Sequence, residues 1–122
     1  EVIVSKGKVL DGISSHTTNM KNDKYFLPIK DIETTKEEIV DIIKETKTDI
    51  LINYLPVGSY DASKFYAECA LEAKVGFINN IPVFIASNEE WNEKFKKAGL
   101  PILGDDIKSQ FGATIVHRVL TE

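Results

Sequence analysis

The chain has 122 residues, 43% of them apolar, which suffices for one compact domain with a single core but not for two. A net charge of −4 and a pI near 5.2 exclude the basic stripe of a nucleic-acid surface, and no polybasic run marks a membrane-facing patch. The single cysteine, Cys69, excludes an intrachain disulfide and fits a reducing, cytoplasmic compartment.

In chain order, Val2 to Val4 reads as a short buried strand, already under way at the first residue and without an initiator Met. No signal-peptide pattern accompanies it. Lys6 to Lys30 carries Gly7, Gly12, a Ser/Thr/Asn cluster with His16, and Pro28, and shows no sustained periodicity. A helix then starts at a capping box, Thr35 with Glu38, and Ile39, Ile42 and Ile43 are expected on one apolar face. Lys44 and Lys47 suit its C-terminal dipole.

Asp49 to Asn53 has the β-branched content of a buried parallel strand, and a second helix is expected from Tyr60 to about Lys74, closing at Gly76. Cys69 falls on its apolar face and reads as a small buried hydrophobe. Phe77 to Asn79 starts another strand, broken by Asn80, Ile81 and Pro82; these polar and proline interruptions also disqualify Val75 to Ser87 as a membrane span. Ser87 or Asn88 caps a third helix whose core face is Trp91 and Phe95, and Gly99 ends it. Leu100 to Leu103 is the next strand, and Ala113 to Leu120 a final helix bearing His117 and Arg118 on its surface or at an interface.

This alternation predicts an α/β fold, a parallel sheet with flanking helices. Three strands end in polar loops: Asn53 to Ser59, Asn79 to Pro82, and Gly104 to Ser109. Carboxyl ends of parallel strands share one edge, so these loops should converge on one crevice. The first opens a helix at Gly58 and Ser59, where free N–H groups suit an anion or a nucleotide. Asn79 serves either backbone groups at the strand edge or a ligand. Gly104 to Gln110 concentrates Asp105, Asp106, Lys108, Ser109 and Gln110, and reads either as a capped turn or as a chemical site. No Gly-x-Gly-x-x-Gly occurs in the chain, so a dinucleotide-binding protein of this kind would have only its second half here.

Asn53 to Ser59, Asn79 to Ser87, and Gly104 to Leu120, with Val9 to Gly12, resemble the myo-inositol-1-phosphate synthase family, especially its shorter archaeal and actinobacterial branch. The resemblance covers essentially the whole chain. It implies the second half of a NAD-binding Rossmann domain over residues 1–108, and over 109–122 the helix entering the catalytic domain of a homotetramer. Members of that family are several times longer, so the chain is expected to be an internal fragment, inactive alone.

The implied activity is NAD-dependent cyclisation of glucose 6-phosphate to inositol phosphate, for inositol and phospholipid biosynthesis. NAD⁺ accepts a hydride from C5, the derived enolate attacks C1, and the hydride returns. By that resemblance Lys108 stabilises developing oxyanions and moves protons, and Asp106 orients it. Asn53, Pro56, Gly58, Ser59, Asn79 and Asp105 lie on the cofactor side, with Asp105 also a candidate for a divalent cation. Ser109 and Gln110 contact substrate. The alternatives are another NAD-dependent oxidoreductase and a non-catalytic α/β nucleotide-binding module.

Overall fold

A computed structural model describes residues 7, 8, 10–12, 34–110 and 113–121. The expected strand at Val2 to Val4, His16 and most of the Lys6 to Lys30 loop lie outside the described residues. The elements run α1 (Lys36–Glu45), β1 (Ile50–Asn53), α2 (Tyr60–Ala73), β2 (Gly76–Asn79), α3 (Glu89–Ala98), β3 (Ile102–Leu103), α4 (Ile107–Gln110) and α5 (Ala113–Thr121). The sheet is parallel, in the order β1-β2-β3, as the alternation predicted.

The helix ends follow their local chemistry. In α1 the Thr35 hydroxyl accepts from the Glu38 N–H at 3.2 Å, and the Glu38 carboxylate accepts from the Thr35 N–H at 2.8 Å. Asn88 caps α3 through its side-chain oxygen, which accepts from the Trp91 N–H at 3.2 Å. Two expectations need correction. The left-handed residue that closes α2 is Lys74 (φ 60°), and Gly76 already belongs to β2. On α1 the buried residues are Val40 and Ile43, with Ile39 packed beside them, whereas Ile42 is 47% exposed. A face of about 100° at 3.6 residues per turn takes in 39, 40 and 43 and leaves 42 at its margin.

One hydrophobic cluster joins the sheet to the helices. Leu51, Phe77 and Ile102 lie in register across the three strands and pack toward Ala67, Ala70, Trp91 and Phe95. Phe77 and Phe95 stack with ring centroids 6.2 Å apart. The row on the opposite sheet face, Ile52, Ile78 and Leu103, is much less covered: Ile52 is 50% and Leu103 57% exposed. Strands expected to be buried on both faces are thus packed mainly on one among the described residues.

Candidate functional site

Side chains alternate along a strand, so Asn53 and Asn79 project from the same face as Leu51 and Phe77, toward the helices. Both are buried, and the strand register places them side by side. A chain of hydrogen bonds then links all three strand ends. Asn53 Nδ2 donates to Asn79 Oδ1 at 2.9 Å, and Asn79 Nδ2 donates to Asp105 Oδ1 at 2.8 Å and to the Val83 carbonyl at 2.6 Å. Asn53 Nδ2 also donates to Ser63 Oγ at 3.1 Å, and Ser63 Oγ donates to the Ser59 carbonyl at 2.5 Å. The predicted convergence of the three loops is therefore present, and its members hold one another.

Asp105 is the knot of this arrangement. Its carboxylate accepts from the N–H groups of Ile85 (3.0 Å), Ala86 (3.0 Å) and Ser87 (3.1 Å), from Ser87 Oγ (2.7 Å) and from Asn79. Burial alone would raise its pKa, but the hydrogen bonds from Asn79, Ser87 and the Ala86 and Ser87 amides outweigh it and hold the carboxyl below its ordinary value. Gly104 makes the approach feasible. Its φ is +153°, and a Cβ there would sit 2.9 Å from both the Cβ and the carbonyl oxygen of Asn79.

These contacts refine the sequence reading. Asn79 and Asp105, assigned there to the cofactor side, spend their polar atoms on the protein and form the floor of the strand-end region. A divalent cation at Asp105 does not fit, because a carboxylate already accepting from five donors has little left for a metal. Among the described residues no cluster of three or more His, Cys, Asp or Glu could hold one.

The loop from Pro56 to Ser59 also differs from its expected use. Ser59 is the N-cap of α2 yet makes no capping bond with its side chain. The first-turn amides are instead taken by Asp11, whose Oδ2 accepts from the Asp61 N–H at 2.6 Å and Oδ1 from the Ala62 N–H at 3.0 Å. An anion does sit at this helix end, but it comes from the chain itself. Pro56 is exposed, and Gly58 has φ +99° with room around it.

Beyond β3, Asp106 has a left-handed backbone (φ 60°); its N–H donates to the Ile81 carbonyl at 3.2 Å and its carbonyl accepts from the Ser109 N–H at 3.1 Å. That places Lys108, Ser109 and Gln110 on the short helix α4, at the sheet end where the strand-end chain terminates. Ser109 is exposed; the side chains of Lys108 and Gln110 lie outside the described residues, as does that of His117, while Arg118 is exposed.

Sequence reasoning missed one residue. Asn80 is 4% exposed, its N–H donates to the Asn53 carbonyl at 3.1 Å, and its side-chain Nδ2 is buried with no partner among the described residues. An unanswered buried donor at the strand ends is unusual enough to point to a ligand. The doubled Asn79 and Asn80 was the available signal: β2 ends at Asn79, which joins the strand-end network, and Asn80 is the first residue beyond it. Separately, a cleft of about 660 Å³ runs along β1, lined by Leu51, Ile52, Asn53, Tyr54, Leu55, Tyr66 and Phe77. It lies along β1, the edge strand opposite β3. Cys69 is fully buried, and burial chiefly raises its thiol to about 11, as befits a packing residue.

Fold and site together define an α/β protein with a parallel sheet and a polar region at the carboxyl ends of its strands. No protein-family model matches the chain. Among curated proteins, the inositol-3-phosphate synthase of Mycolicibacterium smegmatis is 48% identical over 122 residues, all of this chain and 31% of the relative. That of Mycobacterium tuberculosis is 50% identical over 121 residues, and that of Corynebacterium glutamicum 48% over 117. Among solved structures, the crystal structure of Ari2 is 43% identical, with a TM-score of 0.64 over 70% of this chain and 26% of that one. The resemblance drawn from the motifs is borne out: the chain is homologous along its length to a segment of inositol-3-phosphate synthases. It spans about 31% of the length of the first of those relatives. No helix among the described residues is long and apolar enough to cross a membrane.

Proposed function

We propose that this chain forms the second half of the NAD-binding region of an inositol-3-phosphate synthase, and that the longer protein cyclises glucose 6-phosphate to inositol phosphate as a homotetramer. The observation that carries the reading is the match of the whole chain, all three strand-end loops included, to proteins of that name at 48–50% identity.

The residues present fit a nicotinamide cofactor. The orphaned Asn80 Nδ2 is a buried donor suited to a carboxamide or ribose oxygen. Asn53, Asn79 and Asp105 hold the strand ends rigid beneath it. When bound, NAD supplies a reversible hydride acceptor. Lys108, on α4 just past the Asp105 knot, is the cation for the sugar oxygens that gain charge, stabilising them and passing protons. Asp106, within one turn of it, orients and balances that charge. Ser109 and Gln110, on the same turn, bind the substrate hydroxyls or phosphate.

The test is phosphorus NMR on the full-length protein with glucose 6-phosphate and catalytic NAD⁺. Inositol phosphate without net NADH is the expected result. Stoichiometric NADH with no inositol phosphate would replace this reading with a dehydrogenase. NAD binding without turnover of either kind would leave a binding module.

A further inference from the structure

We propose that Asp11, together with Gly12, is a positioning residue for the cofactor loop, supplying from within the chain the negative charge that the N-terminus of α2 demands. The proposal rests on the reading above, that the chain is half of a NAD-binding region, and on the resemblance by which Asn53 to Ser59 lies on the cofactor side. The first N–H groups of a helix have no intrahelical partner and carry its positive end. Ser59 leaves them uncapped by its side chain, and Asp11, 50 residues upstream of Asp61, answers two of them with one oxygen each.

The fit is built on more than that carboxylate. Gly12 has φ +84°, and a Cβ there would collide with Ser59 Oγ and approach Ser59 Cα to 3.3 Å. The backbone of Gly12 therefore lies directly against the loop. Across from it, a Cβ on Gly58 would come 3.9 Å from Gly12 Cα. Farther along α2 the Lys8 N–H donates to the Tyr66 hydroxyl at 3.2 Å, and Lys8 Nζ stands 5.4 Å from the centroid of the Phe65 ring. Lys8 thus meets α2 at Tyr66, Asp11 and Gly12 meet its first turn, and Asp11 is the charged anchor there.

The consequence concerns how the loop meets its ligand. A phosphate taking the Asp61 and Ala62 N–H groups would have to displace a carboxylate of the same sign. The loop then presents its shape to the cofactor, and that shape depends on Asp11 staying in place.

The experiment uses the full-length protein, with Asp11→Ala and the near-isosteric Asp11→Asn, sodium formate as the probe, and sodium chloride at equal ionic strength as control. In Asp11→Ala, NAD affinity is expected to fall roughly tenfold, with KM for glucose 6-phosphate within about twofold of wild type. Formate should recover most of the loss saturably, and chloride should not. Formate should also raise the melting temperature of Asp11→Ala without NAD, while leaving wild type unmoved. Unchanged NAD affinity in either variant overturns the proposal, as does a loss that formate and chloride repair equally. If Asp11→Ala fails to fold, Asp11→Asn decides: a loss of NAD affinity of severalfold supports the role of the charge, and wild-type affinity overturns it. Absence of NAD binding by wild type would sink the functional reading instead, and the cofactor-free melting comparison would still judge the placement of Asp11.

Discussion

At the scale of single residues, burial turns chemically suggestive side chains into structural ones. Asp105 accepts from the loop that carries Ile85 to Ser87, so its replacement by Asn should leave several donors facing no charge. Asp105→Asn is expected to lower unfolding free energy by about 2–4 kcal/mol, read from urea titrations. The pH dependence has a definite sign. The folded carboxyl sits below its ordinary value of 3.8, so its stabilisation is complete above that value and is lost as pH falls through the lower folded value. Wild type should lose this share of stability only below about pH 4, and Asp105→Asn should lack that component. Asn80 predicts the reverse pattern. Its Nδ2 bonds to nothing among the described residues, so Asn80→Ala should cost less than about 1 kcal/mol in stability while weakening NAD binding severalfold, measured by calorimetry. A stability loss as large as that of Asp105→Asn, with NAD binding intact, would make Asn80 a packing residue.

At the scale of elements, local sequence explains nearly every boundary. Thr35 with Glu38 starts α1, Asn88 starts α3, and Gly99 in the left-handed region ends α3. Removing the Asn88 cap as Asn88→Ala should lower stability by about 1 kcal/mol, a shift visible in a denaturation midpoint with an unchanged m-value. α2 is the exception, because its cap is Asp11, from a remote segment whose own sequence carries no helix signal. That is why the strand-end loops could be located in the sequence while the carboxylate that answers the first-turn amides of α2 could not. Spacing along a chain reveals a vacant helix end but not which distant carboxylate fills it. Lys36 adds a second long-range tie, with Glu72 at 3.1 Å and Glu68 at 3.4 Å, joining α1 to α2. As a partly exposed cluster it contributes little to stability.

At the largest scale, the packing of the described residues is one-sided. The helix-covered face of the sheet holds the core, while Ile50, Ile52 and Leu103 on the other face remain about half exposed, and Val119 and Leu120 of α5 are 70% and 76% exposed. Apolar surface of this kind drives association when uncovered. The 122-residue chain alone is expected to self-associate in sedimentation experiments. Ile52→Lys combined with Leu103→Lys should shift it toward monomer without lowering its melting temperature. A monomeric wild-type chain under the same conditions would count against an accessible apolar face.

Local residue patterns were enough to read the parallel α/β alternation, the helix cap at Thr35 and one at Ser87 or Asn88, the core pair Trp91 and Phe95, and the kinship carried by three ordered loops. Each of these depends on residues within a turn or a strand of one another, or on motifs whose order along the chain is itself the signal. The fate of the polar residues at the strand ends was set by the folded arrangement. Asn53, Asn79 and Asp105 are separated by 26 residues at each step, and register brings them into one hydrogen-bonded chain. That register sets Asn79 inward with both its amide groups engaged, while the neighbouring Asn80 has a donor unanswered among the described residues. The physical reason is that a polar side chain's role depends on whether its partners are protein or solvent, and folding chooses those partners over distances that sequence spacing does not record.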